Sequence, residues 1–226
     1  MSTALTVVAV LDESLGADVV LGRKGLSSSA QLRGKTIVYE ANAVGAVMLD
    51  ALLSANKVKA SEVRLLKIDG DRQEAAFLSN EVDFIVTYEP VKSKLQRQGA
   101  KVVFSSASIP GRILDTFAVK PEVLDEHGPN IRKLLRSYFT LRDLWVSKPQ
   151  TLAQELALRM GVNPDQVPAA FEGMRLMDLA WNRELLARGQ QSAVVSEAQK
   201  LSSTMWSAGL LAKPADLSRL VTDAYL

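Results

Sequence analysis

The sequence predicts an α/β fold in its first half and an α-rich second half. Short apolar segments alternate with amphipathic helical segments up to Val119, whereas residues 129–226 show helical periods and almost no strand pattern. Hydrophobic residues make up 47% of the 226 residues and charged residues 23%, which is the composition of an ordinary globular protein. These observations together predict a folded chain that begins with βαβ units.

The chain opens on two apolar strands, Val7–Leu11 and Val19–Leu21, joined by a polar, glycine-containing turn. Ser14 offers a hydroxyl to a ligand in this turn. Gly16 and Ala17 offer free backbone N–H groups, and glycine allows the backbone to approach a ligand closely. A simple turn explains the same residues about equally well.

The next elements alternate in the order βαβαβαβ. The predicted strands are Thr36–Tyr39, Arg64–Ile68, Phe84–Val86 and Lys101–Phe104, and the predicted helices are Val44–Ala55, Asp71–Leu78 and Val91–Arg97. Asn42 precedes the first of these helices as a plausible N-cap. Such units favour parallel strands, and their ligand sites lie outside the carboxyl ends of the strands.

One further apolar stretch, Arg112–Val119, precedes the α-rich half. Apolar spacing there predicts five helices: Ile131–Val146, Gln150–Met160, Asp165–Phe171, Ser192–Ala208 and Ala215–Tyr225. Trp145, Trp181 and Trp206 occur at helical positions, and we interpret them as core or lobe-packing residues, with a ligand role as the alternative for Trp181.

Two predicted strand ends carry candidate binding residues. Glu40 and Asn42 lie where a strand ends and a helix begins, a position at which helix N–H groups favour an anion, although the charge of Glu40 favours a cation. Tyr88 and Glu89 follow the strand that ends at Val86, so that Tyr88 can stack on an apolar ligand and Glu89 can accept a hydrogen bond from an amine. Helix capping by Asn42 and stabilisation of a helix start by Glu89 are the alternatives.

Several segments, in their order and spacing, resemble those of a known family. They are Leu32–Ile37 (LRGKTI), Ala75–Phe84 (AAFLSNEVDF), Tyr88–Pro90 (YEP), Ser105–Asp115 (SSASIPGRILD) and Asp216–Val221 (DLSRLV). They are similar to segments of the solute-binding proteins of ABC importers, in the sulfonate/taurine/nitrate (NMT1/THI5-like) branch of the type 2 periplasmic-binding-protein fold. The chain departs from this pattern at Tyr88, where the family usually has Trp, at Asn80, where it has Gly, and at Ala41-Asn42, where it has Gly-Ser/Thr.

The resemblance implies a division into lobes. Residues 1–17 would be a remnant of lobe 1 with the first hinge strand, residues 18–114 would be lobe 2, and residues 115–226 would carry the second hinge strand and the C-terminal helices of lobe 1. The chain resembles a member that lacks the N-terminal part of lobe 1. We therefore expect weak or no ligand binding by this chain alone.

The resemblance also implies a function, namely the capture of a small organic solute between two lobes by hinge closure, for delivery to an ABC permease. Asp12 and Asp115 would flank the two hinge crossovers. With Glu40 and Glu89 they predict four carboxylates facing one cleft, which favours an amine-bearing or taurine-like solute, because unpaired carboxylates repel one another. Arg183 could hold an anionic group such as a sulfonate. The resemblance implies a periplasmic location, although the start of the chain shows no signal-peptide pattern.

Other function classes have little support in the sequence. The chain has no cysteine, one histidine (His127) and a formal net charge of +2 without a basic block. These features argue against nucleic-acid binding, metal or cofactor chemistry and catalysis. Two further hypotheses stay open: an intracellular effector-binding or enzyme domain built on the same lobes, and self-association through an uncovered face of lobe 1.

Overall fold

The computed structural model describes residues 5–79, 81–187 and 189–226. It forms two compact units. Unit 1 comprises the chain up to Glu13 together with Leu114–Lys200 and Ala215–Leu226, and unit 2 comprises Ser14–Ile113 and Leu201–Pro214. The predicted α/β fold class is confirmed.

Strands and helices alternate through both units. The strands are β1 (Thr6–Ser14), β2 (Val19–Gly22), β3 (Thr36–Tyr39), β4 (Arg64–Lys67), β5 (Phe84–Thr87), β6 (Lys101–Ser105), β7 (Leu114–Val119) and β8 (Met174–Leu176). The α-helices are α1 (Ala43–Ala55), α2 (Gly70–Leu78), α3 (Val91–Arg97), α4 (Pro121–Ser147), α5 (Pro149–Met160), α6 (Val167–Ala170), α7 (Leu179–Leu186) and α8 (Ala193–Ser207). Among the described helices, none combines the length and the apolar character that a bilayer span requires.

Unit 2 is built on a five-stranded sheet in the order β4-β3-β5-β2-β6. β3 pairs in parallel with β4 and β5, as the βαβ pattern predicted. β6 runs in the same direction as these three strands but does not pair with them, because β2 lies between β5 and β6 and is antiparallel to both. The chain enters the sheet through β2 directly from a turn, without the crossover helix that a parallel connection needs. The carboxyl ends of β3, β5 and β6 therefore share one edge of the sheet with the amino end of β2.

Alternating residues of β3 separate two cores in unit 2. Ile37 and Tyr39 face α1 in a cluster with Leu52 and Leu201. Val38 lies in the other cluster, which includes residues of α2 and α3. The contact of Leu201 explains why residues 201–214 group with unit 2, whereas the sequence assigned all of 115–226 to lobe 1. The assignment of the two units to lobes stays a prediction.

Unit 1 contains a three-stranded sheet in the order β7-β1-β8. β1 and β7 run antiparallel, from the pair Thr6 and Val119 to the pair Glu13 and Leu114. Helix α4 packs on this sheet through an apolar cluster that includes Leu135. The α4 backbone leaves helical geometry at His127, two residues before Pro129, and this kink lies within a longer helical segment.

The α-rich half differs from its prediction in three places. The predicted helix Ala215–Tyr225 is wrong: Val221 bridges to Val7, whose N–H donates to the carbonyl of Leu220 over 2.6 Å. Strand β8 was not predicted, because its three residues are too few for a periodic signal. Helix α7 was not predicted either. Trp181 and Trp206 are exposed, at 40% and 53%, rather than packed.

Candidate ligand site at one edge of the five-stranded sheet

A shallow depression lies at the shared edge of β3, β5 and β2, wholly within unit 2. Glu40 and Asn42 follow β3, Tyr88 follows β5, and Asp18 precedes β2. The depression is small, with a volume of about 10 Å³, the room of about one water molecule, and it is lined by Asp18, Glu40, Asn42, Val44, Gly45, Val86 and Tyr88. This is the sheet edge at which α/β folds place their ligands.

The loop from β3 into α1 is held tightly against the helix start. The Asn42 side-chain oxygen accepts a hydrogen bond from the Gly45 N–H over 2.8 Å, which confirms the predicted N-cap. The Asn42 N–H donates to the Glu40 carbonyl over 2.8 Å. A Cβ at Gly45 would lie 2.0 Å from that carbonyl oxygen, so only glycine fits at this position. The loop therefore fixes the backbone from which the Glu40 carboxylate extends.

Tyr88 lies beside two carboxylates. Its side chain is half exposed, and its pKa is raised first by burial and then by the charges of Glu40 and Asp18. Asp18 itself is only 8% exposed. The charges of Glu40 and Asp18 that contribute to this raised pKa would equally favour a cation in this depression, and an aromatic face adds to that preference.

Glu89 contributes to the start of α3. One carboxylate oxygen accepts from the Ser93 hydroxyl over 2.9 Å and the other from the Ser93 N–H over 3.2 Å. Lys92 Nζ lies 3.9 Å from this carboxylate and donates to the Gly16 carbonyl over 3.4 Å. Both oxygens of Glu89 are thus used within the first turn of α3, and Glu89 is not part of the lining of the depression.

The turn between β1 and β2 is organised by Ser106, which follows β6. The fully buried Ser106 hydroxyl accepts from the Gly16 N–H over 2.7 Å and lies 2.7 Å from the Ser14 hydroxyl. The Asp18 N–H donates to the Ser14 hydroxyl over 3.2 Å. The expectation of a free N–H at Gly16 and an unengaged hydroxyl at Ser14 is therefore wrong, because β6 brings Ser106 to this turn. Ala17 lies half-buried in the same turn.

Three predicted site residues belong to unit 1. Asp12 and Asp115 are opposite one another in the β1–β7 register, and Asp12 is buried whereas Asp115 is exposed. Arg183 is exposed on α7. Of the four carboxylates that the sequence grouped together, the described lining of the depression contains Glu40 alone.

Sequence reasoning missed Asp18 and Ser106, which the structure places at this edge. Asp18 directly precedes β2 and Ser106 directly follows β6. Knowledge that β2 runs antiparallel to its neighbours would have placed both residues at the ligand edge. The sequence also missed a cluster in unit 1, where the buried Glu13 carboxylate pairs with Arg175 and the Arg175 guanidinium lies over the Trp181 ring at 4.7 Å.

Solved structures with this fold include binding proteins and an enzyme. The alkanesulfonate-binding protein SsuA from Xanthomonas axonopodis pv. citri, bound to MOPS, has a TM-score of 0.71 and 16% identity over 96% of this chain and 73% of that chain. The periplasmic aliphatic sulphonate binding protein SsuA from Escherichia coli has a TM-score of 0.75 and 16% identity over 96% of this chain and 69% of that chain. The desulfurization enzyme DSZB has a TM-score of 0.66 and 15% identity over 99% of this chain and 78% of that chain.

These likenesses show the fold, which is that of the type 2 periplasmic binding proteins. No curated protein matches the sequence significantly. The family model described as NMT1/THI5 like matches residues 4–151, which is more than half of the chain. The chain therefore belongs to the NMT1/THI5-like family, as the order of its sequence motifs predicted.

Proposed function

We propose that this protein is the substrate-binding component of an ABC importer and that it captures a small, amine-bearing organic solute such as a taurine-like zwitterion. Its family and fold support a solute-binding role. The observation that carries the choice of solute is the position of Tyr88 beside Glu40 and Asp18 at the ligand edge of the sheet.

The proposed binding mode follows from the charges and surfaces of the depression. The ammonium group of the solute would pair with the Glu40 carboxylate, and the Tyr88 ring would cover its other side. Val44 and Val86 offer an apolar surface for a short aliphatic body. A sulfonate at the far end of the solute would lie toward the first turn of α1, where the helix dipole favours an anion.

We extend the proposal to hinge closure, permease docking and a periplasmic location. The chain passes between its two units at four places, and rotation about them would accompany solute binding. They are Glu13–Ser14, Ile113–Leu114, Lys200–Leu201 and Pro214–Ala215. A decrease in the radius of gyration on addition of taurine, measured by small-angle X-ray scattering, would support closure. An unchanged radius at saturating taurine would contradict it.

Binding rather than catalysis is part of this proposal. The described lining of the depression contains no histidine and no serine or threonine that could act as a nucleophile. The Glu40 carboxylate and the Tyr88 phenol are suited to hold a cation, which supports binding over acid–base chemistry.

Isothermal titration calorimetry with taurine, propylamine and 1-propanesulfonate tests the proposal. We expect taurine and propylamine to bind weakly, and Glu40→Gln to weaken both further, at least tenfold. Glu81→Gln is the matched control, since Glu81 is exposed and precedes β5 at the opposite edge of the sheet. Binding of the sulfonate alone, or equal effects of the two glutamine variants, would contradict the proposal.

A further inference from the structure

Unit 2 contains a second, larger cavity that shares no lining residue with the candidate ligand site. It has a volume of about 520 Å³, within the range of small-molecule pockets. The cavity is lined by Tyr39, Ala46, Leu49, Asp50, Leu53, Ala60, Leu65, Ser203, Thr204, Ser207 and Ala208. It therefore lies between α1, the edge strand β4 with its neighbour β3, and the end of α8.

The cavity has one apolar wall and one hydroxyl-bearing wall. Ala46, Leu49 and Leu53 lie on one face of α1, at positions i, i+3 and i+7, and Leu65 of β4 extends this face. Thr204 and Ser207 face the cavity from α8. An apolar body would bury its surface against the first wall, with polar atoms available opposite.

Tyr39 is the most buried polar residue in the lining of this cavity. Its side chain is 3% exposed, and within the described part of the chain no hydrogen bond to its hydroxyl is found. Burial also raises the pKa of this phenol, so that it stays a neutral donor. Since no fully buried side-chain oxygen or nitrogen among the described residues lacks a hydrogen-bond partner, water reaches this hydroxyl through the cavity, and a ligand oxygen would replace that water.

The charge at the cavity is already compensated. Asp50 lines the cavity, and its carboxylate lies 3.6 Å from the Arg112 guanidinium. A charged ligand would therefore lose its hydration without gaining an unpaired counter-ion. The lining fits a neutral molecule better than a cation or an anion.

We propose that this cavity binds a small neutral molecule with an apolar ring or chain and one hydrogen-bonding oxygen, and that the Tyr39 hydroxyl recognises this oxygen. Such a site is additional to solute capture at the edge of β3, β5 and β2. A volume of about 520 Å³ admits a phenol or a cyclic alcohol.

Fluorine NMR with 4-fluorophenol and fluorobenzene tests the site in the full chain. We expect 4-fluorophenol to bind saturably, and saturating taurine to leave this binding unchanged. Tyr39→Phe should weaken 4-fluorophenol about tenfold and leave fluorobenzene, which lacks the hydroxyl, unaffected. Loss of both probes to the same extent in this variant would overturn the role of Tyr39.

Two further variants fill the cavity from opposite walls. Ala60→Phe and Thr204→Phe should each weaken both probes at least tenfold. Ser61→Phe is the matched control, since Ser61 is exposed next to Ala60 and does not line the cavity. Absence of saturable 4-fluorophenol binding to the wild-type chain, or binding that neither filling variant weakens, would overturn the proposal.

Discussion

The Ser106 hydroxyl accepts a hydrogen bond from the Gly16 backbone N–H over 2.7 Å. This bond joins the residue after β6 to the turn before β2, two segments that are 90 residues apart in the chain. Gly16 adopts a φ of 118°, a conformation that favours glycine, and Ser106 is completely buried. The position of Asp18, two residues further on, depends on this turn.

Removal of the Ser106 hydroxyl should destabilise the protein. Ser106→Ala leaves the Gly16 N–H and the Ser14 hydroxyl without this partner, and we expect a loss of about 1–3 kcal/mol in the free energy of unfolding. Urea denaturation followed by circular dichroism measures this loss. Ser108→Ala, at an exposed position nearby, should change stability by less than about 0.5 kcal/mol. Equal stabilities of the two variants would be inconsistent with the role of Ser106.

Gly45→Ala should destabilise the protein even though alanine is the better helix former. The added Cβ would lie 2.0 Å from the Glu40 carbonyl oxygen, so the loop that carries Glu40 must move. We expect a loss of about 1–3 kcal/mol, as in other overpacked sites, and weaker taurine binding. The comparison variant is Gly70→Ala, whose Cβ would come no closer than 3.8 Å to the Glu40 carboxylate. If Gly45→Ala were as stable as Gly70→Ala, the close approach of Gly45 to the Glu40 carbonyl oxygen would not limit stability.

Asn42 should act through its helix cap. Asn42→Ala removes the acceptor for the Gly45 N–H and should cost about 1 kcal/mol, whereas Asn42→Asp, with an equally good capping group, should retain most of the stability. Thermal and urea unfolding of both variants would measure the difference. An Asn42→Asp variant as unstable as Asn42→Ala would indicate that Asn42 does not stabilise the protein by capping α1.

Tyr138 should make stability fall at high pH. Burial first and the charge of Asp12 second raise the Tyr138 pKa to about 12, against the opposing effect of Arg142. The unfolded chain releases this proton near pH 10 while the folded chain keeps it. The contribution of Tyr138 is therefore complete below about pH 10 and is lost as the pH rises toward 12.

Tyr138→Phe separates this titration from those of other groups. The variant loses the hydrogen bond to the Leu11 carbonyl, which should cost about 1 kcal/mol at pH 8. Between pH 10 and 12 its free energy of unfolding should fall less steeply than that of the wild type. Parallel curves for the two proteins would show that Tyr138 does not titrate as described.

Local sequence patterns predicted the ends of the strands and helices from β3 to β6 to within one residue. Each strand and helix there has an apolar pattern of its own period and is bounded by polar turns. The direction of β2 was not predictable in this way, because it depends on pairing with β5 and β6, more than 60 residues away. The extended segment around Val221 likewise depends on its bridge to Val7, and its apolar spacing alone indicated a helix.

The same distinction applies to the candidate site. The positions of Glu40, Asn42 and Tyr88 at strand ends followed from the order of elements. The hydrogen bonds of Glu89 with Ser93 and of Ser14 with Ser106 depend on side-chain geometry, which could not be predicted from the sequence. Their roles in binding remain predictions until ligand titrations are made on the variants.

A crystal structure of the chain soaked with taurine tests the central proposal most directly. We predict the taurine nitrogen at about 2.7–2.9 Å from a Glu40 carboxylate oxygen, beside the Tyr88 ring. The sulfonate should lie toward the first turn of α1. A taurine molecule bound elsewhere, or no bound taurine at a concentration that saturates the calorimetric titration, would contradict the account.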